Sequence, residues 1–239
     1  MLNSRIANAT STHELLNLAS ANSEILNNIH AATLWNKLGK QGDAAGPRYK
    51  EEVRWLLRRT VELVDSCTGR ALSNIAHGLA KCRLVGLDGE ADALFAAVAE
   101  EAVRVGLGSF DPQNLTNLAW AYARAGHHAA PALLDAIAAA AVRGGLRDFN
   151  PQNLVNTAWA FAKAGRAAPT LFDAIATAAV RRGLRDFTPQ ELANTSWAFA
   201  TAGHAAPTYF DAIAREAVRG GLRDFSPQDL ANVAWAFAK

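Results

Sequence analysis

The sequence predicts an all-α fold, an α-solenoid of stacked antiparallel helix pairs, and three observations predict it. The string Asp111-Pro112-Gln113-Asn114-Leu115-Thr116-Asn117-Leu118-Ala119-Trp120 returns from Asn150, from Thr188 and from Ser226, with prolines at 112, 151, 189 and 227 and hence spacings of 39, 38 and 38 residues. A period of this length is the mark of a repeat architecture. Each copy opens on Asp, Asn, Thr or Ser followed by Pro, which supplies a side-chain cap and then a residue whose missing N–H does no harm in the first helical turn. Gly126, Gly165 and Gly203 each follow the proline by 14 residues, suited to the left-handed position that closes a helix.

The elements follow in chain order. Leu15 to Leu26 reads as a helix, and Ile29 to Lys40 with Pro47 to Asp65 as a longer helical pair, so residues 1–66 are expected to form an atypical terminal cap. Residues 67–109 read as a degenerate repeat: Leu72, Asn74, Ala76, Leu79, Ala80 and Lys81 occupy the first-helix positions, His77 stands where later copies have Trp, and Ala91 to Val105 is the second helix. Residues 110–239 contain three strong helix-pair repeats and a final half repeat, the whole chain being read as one continuous solenoid.

Within a strong repeat, helix A is amphipathic. At 100° per residue Leu154, Val155, Ala158, Phe161 and Ala162 share an apolar arc, and Gln152, Asn153, Asn156, Ala160 and Lys163 are expected to point away from it. Thr188 to Glu191 spells a capping box, and Ser226 to Asp229 a close relative. Helix B begins at Pro131, Pro169 or Pro207, carries apolar residues at helical spacing (Leu171, Phe172, Ile175, Ala179, Val180), and ends in Gly145-Leu146, Gly183-Leu184 and Gly221-Leu222. Because Lys239 aligns with Lys163, the last repeat has helix A without helix B, as expected of the front of a longer array or of a truncated product.

Composition excludes several classes. Of 239 residues half are hydrophobic and 19% charged, the balance of a folded protein, and the formal net charge of +2 is compatible with a nucleic-acid partner without demanding one. Cys67 and Cys82 form no CxxC or Cys/His cluster, so neither a disulfide framework nor a zinc site is expected, and a reducing compartment is the default. Apolar stretches such as Ala129 to Val142 are alanine-rich and interrupted by Asp135, so no membrane insertion is expected. The first 25 residues lack the apolar core of a secretory signal. No phosphate-binding loop, GxSxG or HExxH motif occurs, and His127, His128 and His204 read as surface loop histidines; the chain is therefore read as a non-enzyme that needs no cofactor or metal.

The helix A text Leu154 to Gly165, preceded by Phe149-Asn150-Pro151-Gln152 and repeated every 38 residues, resembles the octotricopeptide repeats of algal organelle RNA-binding proteins, and related arrays of RAP-domain and FAST-kinase-like proteins look similar. The likeness covers about residues 68 to 239. It departs from the family in having Ala-Ala-Pro at the start of helix B and no RAP-type C-terminal domain. The resemblance implies a solenoid that binds single-stranded RNA in a chloroplast or mitochondrion, alone or within an RNA-processing complex, and supports RNA processing, stability or translation.

Four sets of residues are candidates for such a surface. The first is the column Asn117, Asn156, Asn194 and Asn232, invariant between copies, whose amides either reach bases or tie neighbouring helices together. The second is Asn114, Asn153, Glu191 and Asp229, which varies as a base-reading code would but also occupies the N3 capping position. The third is Arg124, Lys163, Thr201 and Lys239 near the ends of helices A, and the fourth is Arg143, Arg181 and Arg219 near the ends of helices B, with Arg104 as their upstream counterpart. Both basic rows could follow phosphates, or could simply stabilise helix C-termini. Trp120, Trp159, Trp197 and Trp235 either stack on bases or fill the seam between adjacent helices A. A protein-binding scaffold is the competing reading, since residues 110–239 carry 12 Lys/Arg against 10 Asp/Glu and offer no large net charge.

Overall fold

A computed structural model describes residues 1–42, 47–82, 84, 86–126, 130–219 and 222–239, and the histidine pair His127-His128 and Gly221 lie outside them. Among the described residues the only regular elements are helices. Their bounds are α1 (Leu2–Asn8), α2 (Thr12–Ala21), α3 (Asn28–Gln41), α4 (Lys50–Leu63), α5 (Gly69–Lys81), α6 (Asp88–Val105) and α7 (Pro112–Ala125). They continue as α8 (Pro131–Arg143), α9 (Pro151–Lys163), α10 (Pro169–Arg182), α11 (Pro189–Thr201), α12 (Pro207–Arg219) and α13 (Pro227–Phe237). None is long and apolar enough to cross a membrane.

The chain divides into two compact units, Met1–Leu133 and Leu134–Lys239, the boundary falling inside α8. In the first unit the odd-numbered helices form one layer, α1 on α3, α3 on α5 and α5 on α7, and the even-numbered helices form a second, α2 on α4 and α4 on α6. The second unit repeats the scheme with α9 on α11 and α11 on α13 in one layer and α10 on α12 in the other. This alternation is that of an all-α helical solenoid, in which each helix pair buries its apolar faces against its neighbours.

The N-terminal region follows the same layering and begins with a helix, α1, that sequence pattern did not reveal: only its Ile6 is buried, too little to set up a periodicity. The expected helix from Leu15 is Thr12–Ala21, followed by a 3-10 turn over Ser23–Ile25. Trp35 of α3 is wholly buried, and its indole N–H donates to the Thr60 hydroxyl of α4 at 2.9 Å, while that hydroxyl donates to the Leu56 carbonyl at 2.7 Å. This chain of bonds satisfies every polar atom of the contact, as burial requires.

The repeat signals act locally as their chemistry dictates. Asp111, Asn150, Thr188 and Ser226 each accept from the backbone N–H three residues on, and Asn150, Thr188 and Ser226 complete reciprocal capping boxes. At the other end Gly165 and Gly203 take φ of 61° and 63°, and the next N–H groups, of Arg166 and His204, reach back to the carbonyls of Phe161 and Phe199 at 3.0 Å. Both are Schellman closures. Helix B ends differ: Leu146 and Leu222 themselves adopt positive φ, 53° and 58°, whereas Leu184 sits in a 3-10 turn after Gly183.

One expectation about helix A needs correction. Leu154, Val155, Ala158, Phe161 and Ala162 are buried as read, and Gln152 and Lys163 are exposed, but Asn153 and Ala160 are buried too. Helix A packs against another helix A as well as against its own helix B, so its buried arc is wider than for a helix lying on a flat core, and only a narrow stripe stays open. On α10, Val180 is exposed, at 37%, while Leu171, Phe172, Ile175 and Ala179 are buried.

Candidate nucleic-acid interface

The open stripe of each helix A has a fixed composition. Counted from the capping residue as zero, positions 2, 6, 9 and 13 remain partly or fully exposed, and steps of four, three and four place them on one helical face. They read Gln113, Asn117, Trp120 and Arg124 on α7; Gln152, Asn156, Trp159 and Lys163 on α9; Gln190, Asn194, Trp197 and Thr201 on α11; and Gln228, Asn232, Trp235 and Lys239 on α13. The upstream helices extend the pattern with Arg70, Asn74, His77 and Lys81 on α5, and Ile29, Thr33, Asn36 and Lys40 on α3. Periodicity at 38–39 residues could not reach α3, because the spacing of the caps widens to 41 and 43 residues there, from Asn27 to Thr68 to Asp111.

The asparagine column sits in the middle of this stripe. Asn117, Asn156, Asn194 and Asn232 are half-buried, and Asn232 accepts from the Gln228 amide at 2.9 Å on its own helix. Among the described residues Asn117, Asn156 and Asn194 make no side-chain hydrogen bond, so nothing in the fold uses these amides to tie helices together. An amide held at a partly dry surface without a partner is an unmet donor and acceptor, which an incoming polar ligand satisfies.

The variable set lies elsewhere. Asn114 and Asn153 are 8% and 9% exposed. The Asn114 oxygen accepts from the Ser73 hydroxyl of α5 at 3.0 Å, and the Asn153 oxygen accepts from the Asn150 N–H at 3.2 Å. Glu191 and Asp229 likewise accept from the backbone N–H of Thr188 and Ser226, at 2.8 and 3.1 Å. Asn153, Glu191 and Asp229 thus serve helix starts, and Asn114 ties α7 to α5, so all four side chains are engaged within the fold.

The two basic rows are not brought together. Arg124, Lys163 and Lys239, with Thr201 between the last two, lie exposed at the C-terminal ends of helices A, together with Lys40 and Lys81. Arg143, Arg181 and Arg219 are exposed at the C-terminal ends of helices B. In an antiparallel pair those are opposite ends of a hairpin roughly 20 Å long, at about 1.5 Å per residue over 13 residues. Arg219 is also engaged, its guanidinium bridging both carboxylate oxygens of Glu216 three residues earlier, as Arg104 does with the buried Glu101. These pairings hold the Glu101 and Glu216 carboxyls below the usual carboxylate range, through the guanidinium hydrogen bonds first.

The tryptophans are neither fully in the seam nor free of it. Trp120 and Trp159 are half-buried, and Trp120 leans across to α5, its ring 5.0 Å from that of His77 and 5.9 Å from the Lys81 ammonium. Arg124, one turn on, lies 5.5 Å from the same ring, and Lys239 stands 5.7 Å from Trp235. His77 is held neutral down to about pH 4, first by its desolvation and then by the charges of Lys81 and Lys40. His204 is a second correction. It lies in the loop after α11 as expected, but its side chain is only 15% exposed, packs on Phe172 at 5.5 Å and meets the Asp173 carboxylate at 2.9 Å. Arg166 does the same for Asp135, so the residues after Gly165 and Gly203 each clamp the preceding helix B.

Among the described residues there is no group of three or more His, Cys, Asp or Glu side chains arranged to hold a metal ion. Three segments of the chain, residues 133–157, 177–195 and 216–233, match the model of a protein family of unknown function, DUF1601. Each segment starts in helix B and ends at position 7 of the following helix A, one residue past the asparagine column, so the family's pattern has the phase of the structural repeat. No curated protein matches the chain.

Proposed function

We propose that the chain binds single-stranded RNA along the open stripe of its helices A, and by the resemblance of its repeats to octotricopeptide arrays that it does so in support of organellar RNA processing, stability or translation. The observation that carries this reading is the asparagine column: half-buried amides at one position of each helix A, of which Asn117, Asn156 and Asn194 have no side-chain hydrogen-bond partner among the described residues, with cations at one end of the stripe. Amides read base edges of unstacked RNA, and the cations release counterions from phosphate. The residues assigned to the interface are Asn117, Asn156, Asn194, Asn232, Arg124, Lys163 and Lys239; the capping set and the helix B arginines are left out of it. At one nucleotide per repeat the strong copies would cover about four nucleotides.

Fluorescence anisotropy with random single-stranded RNA and matched DNA, at roughly 50 and 200 mM salt, tests this. Saturable binding that prefers RNA and weakens with salt is expected, and Arg124→Glu with Lys163→Glu should weaken it and flatten its salt dependence. Unchanged affinity in that double variant would overturn the assigned face. A protein-binding scaffold is the second reading, favoured by a cavity of about 600 Å³ between α10 and α12, lined by Ala176, Val180, Ala206, Pro207 and Tyr209.

A further inference from the structure

We propose that the first unit contains a built nucleotide site in which a base packs on the Trp120 indole beside His77 while the phosphates of the strand run past Lys40, Lys81 and Arg124. The site deepens, and rests on, the reading of the helix A face as a single-strand RNA surface. Four observations converge on it. Lys40, Lys81 and Arg124 occupy the same position at the C-terminal ends of α3, α5 and α7, which are successive neighbours in one layer. All three are exposed, and among the described residues none has an ion-pair partner. Each helix end presents roughly half a negative charge, so three full cations more than offset the carbonyls beneath them and leave the edge positive.

The aromatic half is placed by the same register. Trp120 is half-buried against α5, which fixes its ring, and His77 lies 5.0 Å away at an interplanar angle of 51°, in direct contact with the indole. Lys81 and Arg124 approach the indole at 5.9 and 5.5 Å, the outer range of cation–π contact, so a base displaces them from the ring toward its own phosphate at little loss. His77 stays neutral at physiological pH and adds no fourth charge to the site. Asp88 and Asp92 of α6 line the neighbouring groove with Lys81 and Arg124 and oppose an anion entering there, which directs the phosphate to the open face of the helix A layer. The uncharged bases of single strands stack on aromatic rings regardless of sequence, so the site gives affinity and register while selectivity is left to the amide column.

The test compares a short oligouridylate with an abasic strand of equal length and charge, bound to the full chain. The wild type should hold the uridine strand more tightly than the abasic one. Trp120→Leu should lose roughly 10- to 100-fold on the uridine strand and little on the abasic strand, whereas Trp120→Phe, which keeps a stacking face and controls for folding, should retain most of the affinity. Lys40→Gln and Lys81→Gln should each lower the salt slope of binding by about 0.7 on both strands. If the wild type binds uridine strands and Trp120→Leu binds them equally well, the nucleotide site is overturned and the RNA surface stands. If the wild type binds neither strand, the RNA reading beneath the site falls with it.

Discussion

Gly78 is where a single methyl group should do most damage. In an exposed helix interior Gly→Ala stabilises by about 1 kcal/mol, since alanine loses less conformational freedom on folding. At Gly78 of α5 an added Cβ would lie 2.1 Å from the Trp35 carbonyl oxygen and 2.4 Å from its carbon on α3. The obstacle is backbone, so α3 and α5 must part by roughly 1 Å, loosening the contacts of Trp35, Leu38, Ile75 and Leu79, all of them buried. Overpacking of this kind destabilises by about 3 kcal/mol; less the propensity gain, Gly78→Ala should lose about 2 kcal/mol, a fall in Tm of about 4–8 °C. Gly89→Ala in α6 is the matched control, because nothing lies within 4 Å of its added Cβ and its φ is ordinary, so it should be neutral or stabilising. Thermal unfolding followed by helical circular dichroism measures both. A Gly78→Ala protein melting at or above the wild type would refute the close packing of α3 on α5.

The remaining predictions concern charge and the repeat clamps. The His77 proton affinity falls on folding, to a pKa of about 4 from an ordinary 6.5, so the unfolded chain binds more protons between those values and stability must drop as pH falls through that window. The ring is partly exposed, so water screening reduces the loss to about 1–2 kcal/mol; urea titrations at pH 7 and pH 4.5 should show it in the wild type and show less of it in His77→Gln. Asp173→Ala and His204→Ala should show coupling of about 0.5–1 kcal/mol in a double-mutant cycle, from the carboxylate–imidazole contact, and strictly additive effects would deny the clamp. Thr201→Lys completes the cation column on α11 and should raise RNA affinity with a salt slope steeper by about 0.7, read by the same anisotropy titration; an unchanged slope would show that the phosphates do not pass this position.

Some of the candidate interface was legible in the sequence and some was not. The asparagine column and Arg124, Lys163 and Lys239 stand out by register alone, because a repeat superimposes equivalent positions without any knowledge of the fold. Lys81 lay within the degenerate copy, and Lys40 outside any recognised copy, since the unit length there drifts while the packing does not. Variation between copies pointed to Asn114, Asn153, Glu191 and Asp229, but the last three answer the capping residue of their own helix and Asn114 bonds Ser73 of α5. The helix B arginines share a column with no hint of where it lies, and hairpin geometry sends them to the far end.

Local rules therefore determined the helices A of the strong repeats: where they begin, through Asp, Asn, Thr or Ser before Pro; where α7, α9 and α11 end, through glycines at positive φ; and which residues form the apolar arc. These depend on neighbours within one turn, and a single sequence carries that information in full. Tertiary structure alone decided how wide the buried arc becomes, which buries Ala160 and leaves positions 2, 6, 9 and 13 open on α7, α9 and α11. It alone placed His77 of α5 against Trp120 of α7, 43 residues away, and left the amides of Asn117, Asn156 and Asn194 without a hydrogen-bond partner among the described residues. Burial is a property of the surroundings a residue is given by other helices, and those are fixed by packing between units rather than by the pattern within one.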